Sequence, residues 1–108
     1  MKKLEGGCLC ESVRYHISAT PFAAEYCHCR MCKKVSGAPV ASWMDFKIAQ
    51  VTWKKRKPVE YQSSENVLRG FCPTCGSSLS FRDTEHPEYI TLTIASLDEP
   101  NLVKPTYH

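Results

Sequence analysis

Three thiols and an imidazole stand within one short stretch, Cys27-His28-Cys29-Arg30-Met31-Cys32, and two further cysteine pairs lie far from it in sequence. Cys8-Leu9-Cys10 sits near the start and Cys72-Pro73-Thr74-Cys75 near the end, so all seven cysteines of the 108-residue chain fall into groups. Thiols one or two residues apart suit metal coordination, because a tight turn carries both sulfurs to a single tetrahedral ion. A disulfide framework fits an odd count of seven poorly, and in a reducing compartment clustered cysteines serve as metal ligands more often than as bridges.

In Phe71-Cys72-Pro73-Thr74-Cys75-Gly76-Ser77 the spacing is that of a zinc knuckle, and Gly76 can take the left-handed backbone that turns N–H groups towards the sulfurs. This half-site needs two more ligands. Cys8 and Cys10 supply them, since side chains two apart on an extended chain share a face. Four thiolates saturate zinc and leave no position for substrate, so the set Cys8, Cys10, Cys72 and Cys75 reads as structural. Cys27, Cys29 and Cys32 then remain for a second ion with an open fourth position, which is what catalysis requires. His28 is a candidate fourth ligand, but in an extended Cys27-His28-Cys29 it points to the opposite face. A rival partition joins Cys8 and Cys10 to two of the middle thiols and leaves Cys72 and Cys75 as a redox pair, although the βαβ setting of a thioredoxin-like unit is missing. Three thiolates on Zn2+ carry a net negative charge, and Arg14, Arg30, Lys33, Lys34, Arg69 and Arg82 are available to balance it or to bind an anionic substrate.

The elements that must position these groups are short strands. Val13, Tyr15 and Ile17 alternate with Ser12, Arg14 and His16 as in a half-buried strand that Thr20-Pro21 ends. Phe22 to Cys29 is strand-like and delivers Cys27 and Cys29 to one side. Lys33 to Gly37 reads as one helical turn or a loop closed by glycine, and Ala38 to Phe46 as an apolar run in which Trp43 and Phe46 are core or pocket-wall residues. Val51-Thr52-Trp53, Val59-Glu60-Tyr61, Val67 to Phe71, Ser78 to Phe81 and Tyr89 to Ile94 complete the strands. No internal repeat, long linker or sustained helical period interrupts them. The expectation is a mainly β protein: one small domain over residues 1–108, built of short antiparallel strands and stapled by zinc.

No stretch approaches the roughly 20 apolar residues of a membrane span, and Met1-Lys2-Lys3 is not followed by an apolar h-region. A soluble, cytoplasmic protein without a membrane partner is expected. The formal charge of +3 assumes neutral thiols; seven thiolates and two Zn2+ ions bring it to about zero, which removes a general electrostatic grip on nucleic acid. Lys54-Lys55-Arg56-Lys57 accordingly reads as a solvated turn between strands.

The order and spacing of Gly6-Gly7-Cys8-Leu9-Cys10, Val13-Arg14-Tyr15, Cys27-His28-Cys29-x-x-Cys32-Lys33 with Ser36-Gly37, Tyr61-x-Ser63-Ser64, Arg69-x-Phe71-Cys72-x-x-Cys75-Gly76-Ser77-x-Leu79 and Leu97-Asp98-x-Pro100 resemble the glutathione-dependent formaldehyde-activating enzyme family. The resemblance spans nearly the whole chain and uses every cysteine. It implies a β-tent fold with two zinc ions: a structural one on Cys8, Cys10, Cys72 and Cys75, and a catalytic, more labile one on Cys27, Cys29 and Cys32. The activity it implies is condensation of glutathione with formaldehyde to S-(hydroxymethyl)glutathione, a carbon–sulfur lyase reaction. Glu11 and Ala95 stand where the family commonly has glycine, and after Thr106-Tyr107-His108 such proteins usually continue with another strand and a tail. Other readings of the same residues are a non-catalytic zinc module for a protein partner, a nucleic-acid binder using Lys54 to Lys57, and a metal or redox buffer centred on Cys27 to Cys32.

Overall fold

The computed structural model describes residues 4–106. Nine strands form two antiparallel sheets among them. The smaller sheet has the order β1 (Leu4–Gly7), β2 (Arg14–Ile17), β5 (Val51–Lys54). The larger has the order β3 (Ala23–Cys27), β4 (Ala41–Lys47), β9 (Tyr89–Thr93), β8 (Ser78–Asp83), β7 (Val67–Phe71), β6 (Val59–Ser64). The expectation of a mainly β architecture of short antiparallel strands holds. No helix among the described residues is long and apolar enough to cross a membrane.

Because side chains alternate across a strand, register decides what each face of the large sheet carries. One row of paired residues crosses all six strands as Ala24, Met44, Leu92, Ser80, Gly70 and Glu60. Its apolar members pack with Tyr15, Ile17 and Val51 of the small sheet, and the same core includes Phe46 and Ile90 as well as Leu4, Ile94, Leu97 and Val103. Removing such a side chain from water contributes about 1.5–3 kcal/mol each. The neighbouring row, one residue along, runs Ala23, Asp45, Thr91, Phe81, Arg69 and Tyr61 and belongs to the opposite face. There Arg69 is buried although charged. Trp53 lies edge-on to Tyr15, with centroids 5.7 Å apart, and also packs against Cys8, Val13, Cys72 and Leu79, so it links the main core to the first metal-capable group.

The segment after β9 is tied back to the small sheet. Arg14 donates to both carboxylate oxygens of Asp98 at 2.8 and 2.6 Å, and Tyr15 and Ser96 share a 2.6 Å hydroxyl–hydroxyl bond.

The only α-helix among the described residues, α1 (Arg30–Ser36), is longer than the turn expected from Lys33. Its start is hidden in sequence because the cap is a cysteine rather than Ser, Thr, Asp or Asn. The Cys29 sulfur accepts the Cys32 N–H at 3.3 Å, and Gly37, at φ 69°, closes the helix by donating its N–H to the Lys33 carbonyl. Strand β1 was carried by no alternation in the sequence, since Gly6-Gly7 fills half of it; its pairing with β2 supplies the order.

Candidate functional site

Two loops meet at the first thiol group. The loop joining β1 to β2 carries Cys8 and Cys10, and the loop joining β7 to β8 carries Cys72 and Cys75. They are built alike. Cys8 N–H bonds the Val13 carbonyl and Cys72 N–H the Ser77 carbonyl, each at 3.0 Å, so each first cysteine closes its own loop. Within each, a left-handed residue turns back: Glu11 (φ 67°) donates to the Cys8 carbonyl, and Gly76 (φ 79°) to that of Cys72. Glycine suits this conformation and glutamate does not, so Glu11 holds the turn geometry at a steric cost.

The four sulfurs lie within 4.8 Å of one another, with Cys8 to Cys10 at 3.6 Å and Cys10 to Cys72 at 3.8 Å. Sulfurs bound tetrahedrally at ~2.3 Å from zinc stand about 3.8 Å apart, so this donor set is compatible with a metal ion of that kind. Backbone N–H groups point at two of its sulfurs. Val13 N–H points at Cys8 Sγ at 3.3 Å, and Thr74 and Cys75 N–H at Cys72 Sγ at 3.4 Å. The Ser12 hydroxyl, 3.3 Å from Cys72 Sγ, is the main cause that holds this thiol down at about 5, and Ser77 similarly holds Cys75 at about 7. Ser12 was not singled out in sequence; only the fold places it against three of the sulfurs. The basic run also takes part: Lys55 Nζ donates to the Glu11 carbonyl and Arg56 to Thr74 Oγ1, each at 3.3 Å, which ties the expected solvated turn to both cysteine loops.

The second group is local. Cys27 ends β3, Cys29 caps α1 and Cys32 lies in its first turn, with the three sulfurs within 4.8 Å of one another. Cys29 is exposed and Cys32 buried. Hydrogen bonding from Cys32, by side chain and backbone, holds the Cys29 thiol down at about 7, whereas burial pushes Cys32 up to about 12. His28 is not among the side chains whose ligating atoms converge here.

Of the six cations left open by sequence, the fold brings Arg69 to the thiols. Both its terminal nitrogens stand 3.7 Å from Cys32 Sγ, its Nε donates to Ser63 Oγ at 3.1 Å, and its guanidinium lies 5.2 Å from the Phe81 ring centre. Arg14 is committed to Asp98 and Arg82 to Glu60. Two recesses flank the group. A cleft of about 450 Å³ is lined by Cys27, Cys32, Trp43 and Phe81, with Tyr26 and His28 also contributing. A second of about 500 Å³ is lined by Arg30, Lys34, Tyr61, Ser63 and Arg69.

The family profile described as "Glutathione-dependent formaldehyde-activating enzyme" matches residues 3–108. The chain belongs to this family. It is similar to a Schizosaccharomyces pombe protein named as an uncharacterized lyase, 27% identical over 92 residues. That match spans 83% of this chain and 66% of the yeast protein, just short of two thirds of its length. Among solved structures, a crystal structure of a Rhodobacter sphaeroides protein superposes with a TM-score of 0.74 over 96% of this chain and 99% of its own. At 19% identity that likeness shows the shared fold. The family membership expected from the seven cysteines thus stands on a match over almost the whole chain.

Proposed function

We propose that the chain is a zinc-dependent carbon–sulfur lyase-type enzyme that joins glutathione, or a similar thiol, to formaldehyde, giving S-(hydroxymethyl)glutathione. The observation that carries this reading is the unequal pair of thiol groups: four sulfurs converge within 4.8 Å, enough donors for a tetrahedral ion, while the three of Cys27, Cys29 and Cys32 converge one donor short beside an open cleft. Cys8, Cys10, Cys72 and Cys75 hold the structural zinc, and residues 1–108 act as one domain around it. A zinc ion on Cys27, Cys29 and Cys32 would lower the pKa of a thiol or water and act as a Lewis acid.

The chain's own residues supply the rest. Arg69 offsets the excess negative charge of three thiolates from a buried position. Arg30 and Lys34, in the adjoining recess, offer cations to the carboxylates of the tripeptide. The aromatic wall of Trp43 and Phe81 limits water around the reacting atoms. In the reaction the thiol sulfur bonds to the carbonyl carbon, the C=O π pair moves to oxygen, and the proton lost by the thiol ends on that oxygen. Nothing is oxidised or reduced.

The test is metal analysis followed by turnover. Two zinc ions per chain are expected, with saturable glutathione binding and formaldehyde-dependent adduct formation faster than the spontaneous reaction. A zinc-replete protein that neither binds glutathione nor accelerates the reaction sinks the proposal.

A further inference from the structure

We propose that Cys29 and Cys32 form a thiol–disulfide exchange pair that reduces a small disulfide carrying carboxylates and closes into a Cys29–Cys32 bridge. Cys29 caps α1 and Cys32 lies in its first turn, with the Cys32 N–H donating to Cys29 Sγ at 3.3 Å, so one turn of chain carries both sulfurs. They stand within 4.8 Å of each other, and a bridge brings them to about 2 Å. The two-residue spacing suits exchange. Cys27 is placed differently, since it ends β3 and pairs with Ala41 in the sheet. Burial fixes the order of events. Cys29 is exposed and meets a disulfide from solution, whereas Cys32, 5% exposed, is reached by a sulfur already beside it. Cys72 and Cys75 have the same spacing, but Cys72 is buried and Cys75 half-buried, so that pair lacks an exposed first sulfur.

The recess of about 500 Å³ selects the partner. Arg30, next to Cys29 in the chain, lines it together with Lys34 and Arg69, and Arg69 also reaches Cys32 Sγ at 3.7 Å. Three cations stand there and no carboxylate is among the described lining residues, which favours an anionic disulfide. In the first step the Cys29 sulfur bonds to one sulfur of that disulfide and expels the other half as a thiolate. Cys32 then bonds to the Cys29 sulfur and expels the second half. Each cysteine's proton ends on a departing thiolate, so the protein dithiol loses two electrons and two protons and the disulfide becomes two thiols. With the bridge closed, Cys27 is left as the one free thiol of the trio, too few donors to hold an ion. That consequence rests on the zinc assignment above, whereas the exchange itself does not.

The experiment treats the zinc-loaded full chain with glutathione disulfide and maps its peptides by mass spectrometry. Trypsin cuts after Arg30 and Lys33, so the bridge should leave Met31-Cys32-Lys33 joined to the peptide that holds Cys29, with two glutathione molecules released per chain. Cys27→Ser should keep this link and Cys29→Ser should lose it. Cys32→Ser should stop halfway, with one glutathione on Cys29. Cystamine, which carries ammonium groups instead of carboxylates, should react about tenfold more slowly, each rate taken relative to that with 2-mercaptoethanol, and Lys34→Glu should narrow the gap severalfold. An unlinked Met31-Cys32-Lys33, a link that survives Cys29→Ser, or cystamine reacting as fast as glutathione disulfide overturns the inference. The wild-type map and Cys27→Ser decide the matter even if Cys32→Ser fails to fold. Adduct formation from formaldehyde is assayed separately, so the lyase reading stands or falls independently.

Discussion

Arg69→Met removes the cation beside the three thiols while keeping an unbranched apolar side chain in its place. The guanidinium nitrogens stand 3.7 Å from Cys32 Sγ and the residue is 5% exposed. At an effective dielectric of about 20, unit charges at that separation attract by about 4 kcal/mol, which bounds the loss of metal affinity at roughly a thousandfold. Regained hydration offsets part of this, because a desolvated pair returns only its surplus. A 10- to 100-fold weakening of one metal site, of two, is therefore expected. Competition with a chromogenic chelator measures it: one ion should leave early and the other stay. Arg69→Lys retains charge without the two-pronged guanidinium and should fall between wild type and Arg69→Met. Unchanged release from Arg69→Met, or equal weakening of both ions, would refute the assignment of Arg69 to the Cys32 side.

Cys72→Ser should unfold the protein or release the structural ion, whereas Cys29→Ser should spare the fold and lose the labile one; circular dichroism with metal analysis separates these, and identical unfolding of both contradicts the division of roles. Metal affinity of the three-thiol group should rise with pH, because Cys32, pushed up to about 12, carries a proton at neutrality that binding must displace. Cys29, held at about 7, releases a proton on binding below that pH and none above it, so the slope of log affinity against pH should fall by about one across pH 7 in chelator titrations. Glu11→Gly should stabilise the protein by about 0.5–1 kcal/mol in denaturant unfolding, since it relieves the left-handed strain at the turn against a smaller entropy cost, while Glu11→Ala keeps its Cβ and should gain nothing.

The grouping of the sulfurs into four and three was legible because the spacing within each pair is local and each end pair, alone, leaves a tetrahedral ion two ligands short. A knuckle such as Cys72-Pro73-Thr74-Cys75 announces itself through two residues of separation and a following glycine. Most strands were legible too, from alternation around Val13, Tyr15 and Ile17 or Tyr89 to Thr93. Arg69 was not, because six cations were candidates and only the pairing of β7 with β8 and β6 brings this one to Cys32. Ser12 and the Lys55 and Arg56 contacts escaped for the same reason: they depend on how two distant loops meet. Trp43 could be read as core or as pocket wall, and it serves as both, buried on the sheet yet lining the cleft.

The two thiol groups also differ in when they come into being. All three sulfurs of Cys27, Cys29 and Cys32 leave the ribosome almost together, whereas Cys8 and Cys10 must wait for Cys72 and Cys75. At about 5–20 residues per second, the interval between Cys32 and Cys75 is roughly 2–9 s. During that time the local trio is the fuller set of thiols on the nascent chain, so it is the first group able to capture an ion. Under the division of roles proposed above, faithful loading then depends on the four-thiol group winning metal late, through its fourth sulfur and the meeting of the β1–β2 and β7–β8 loops.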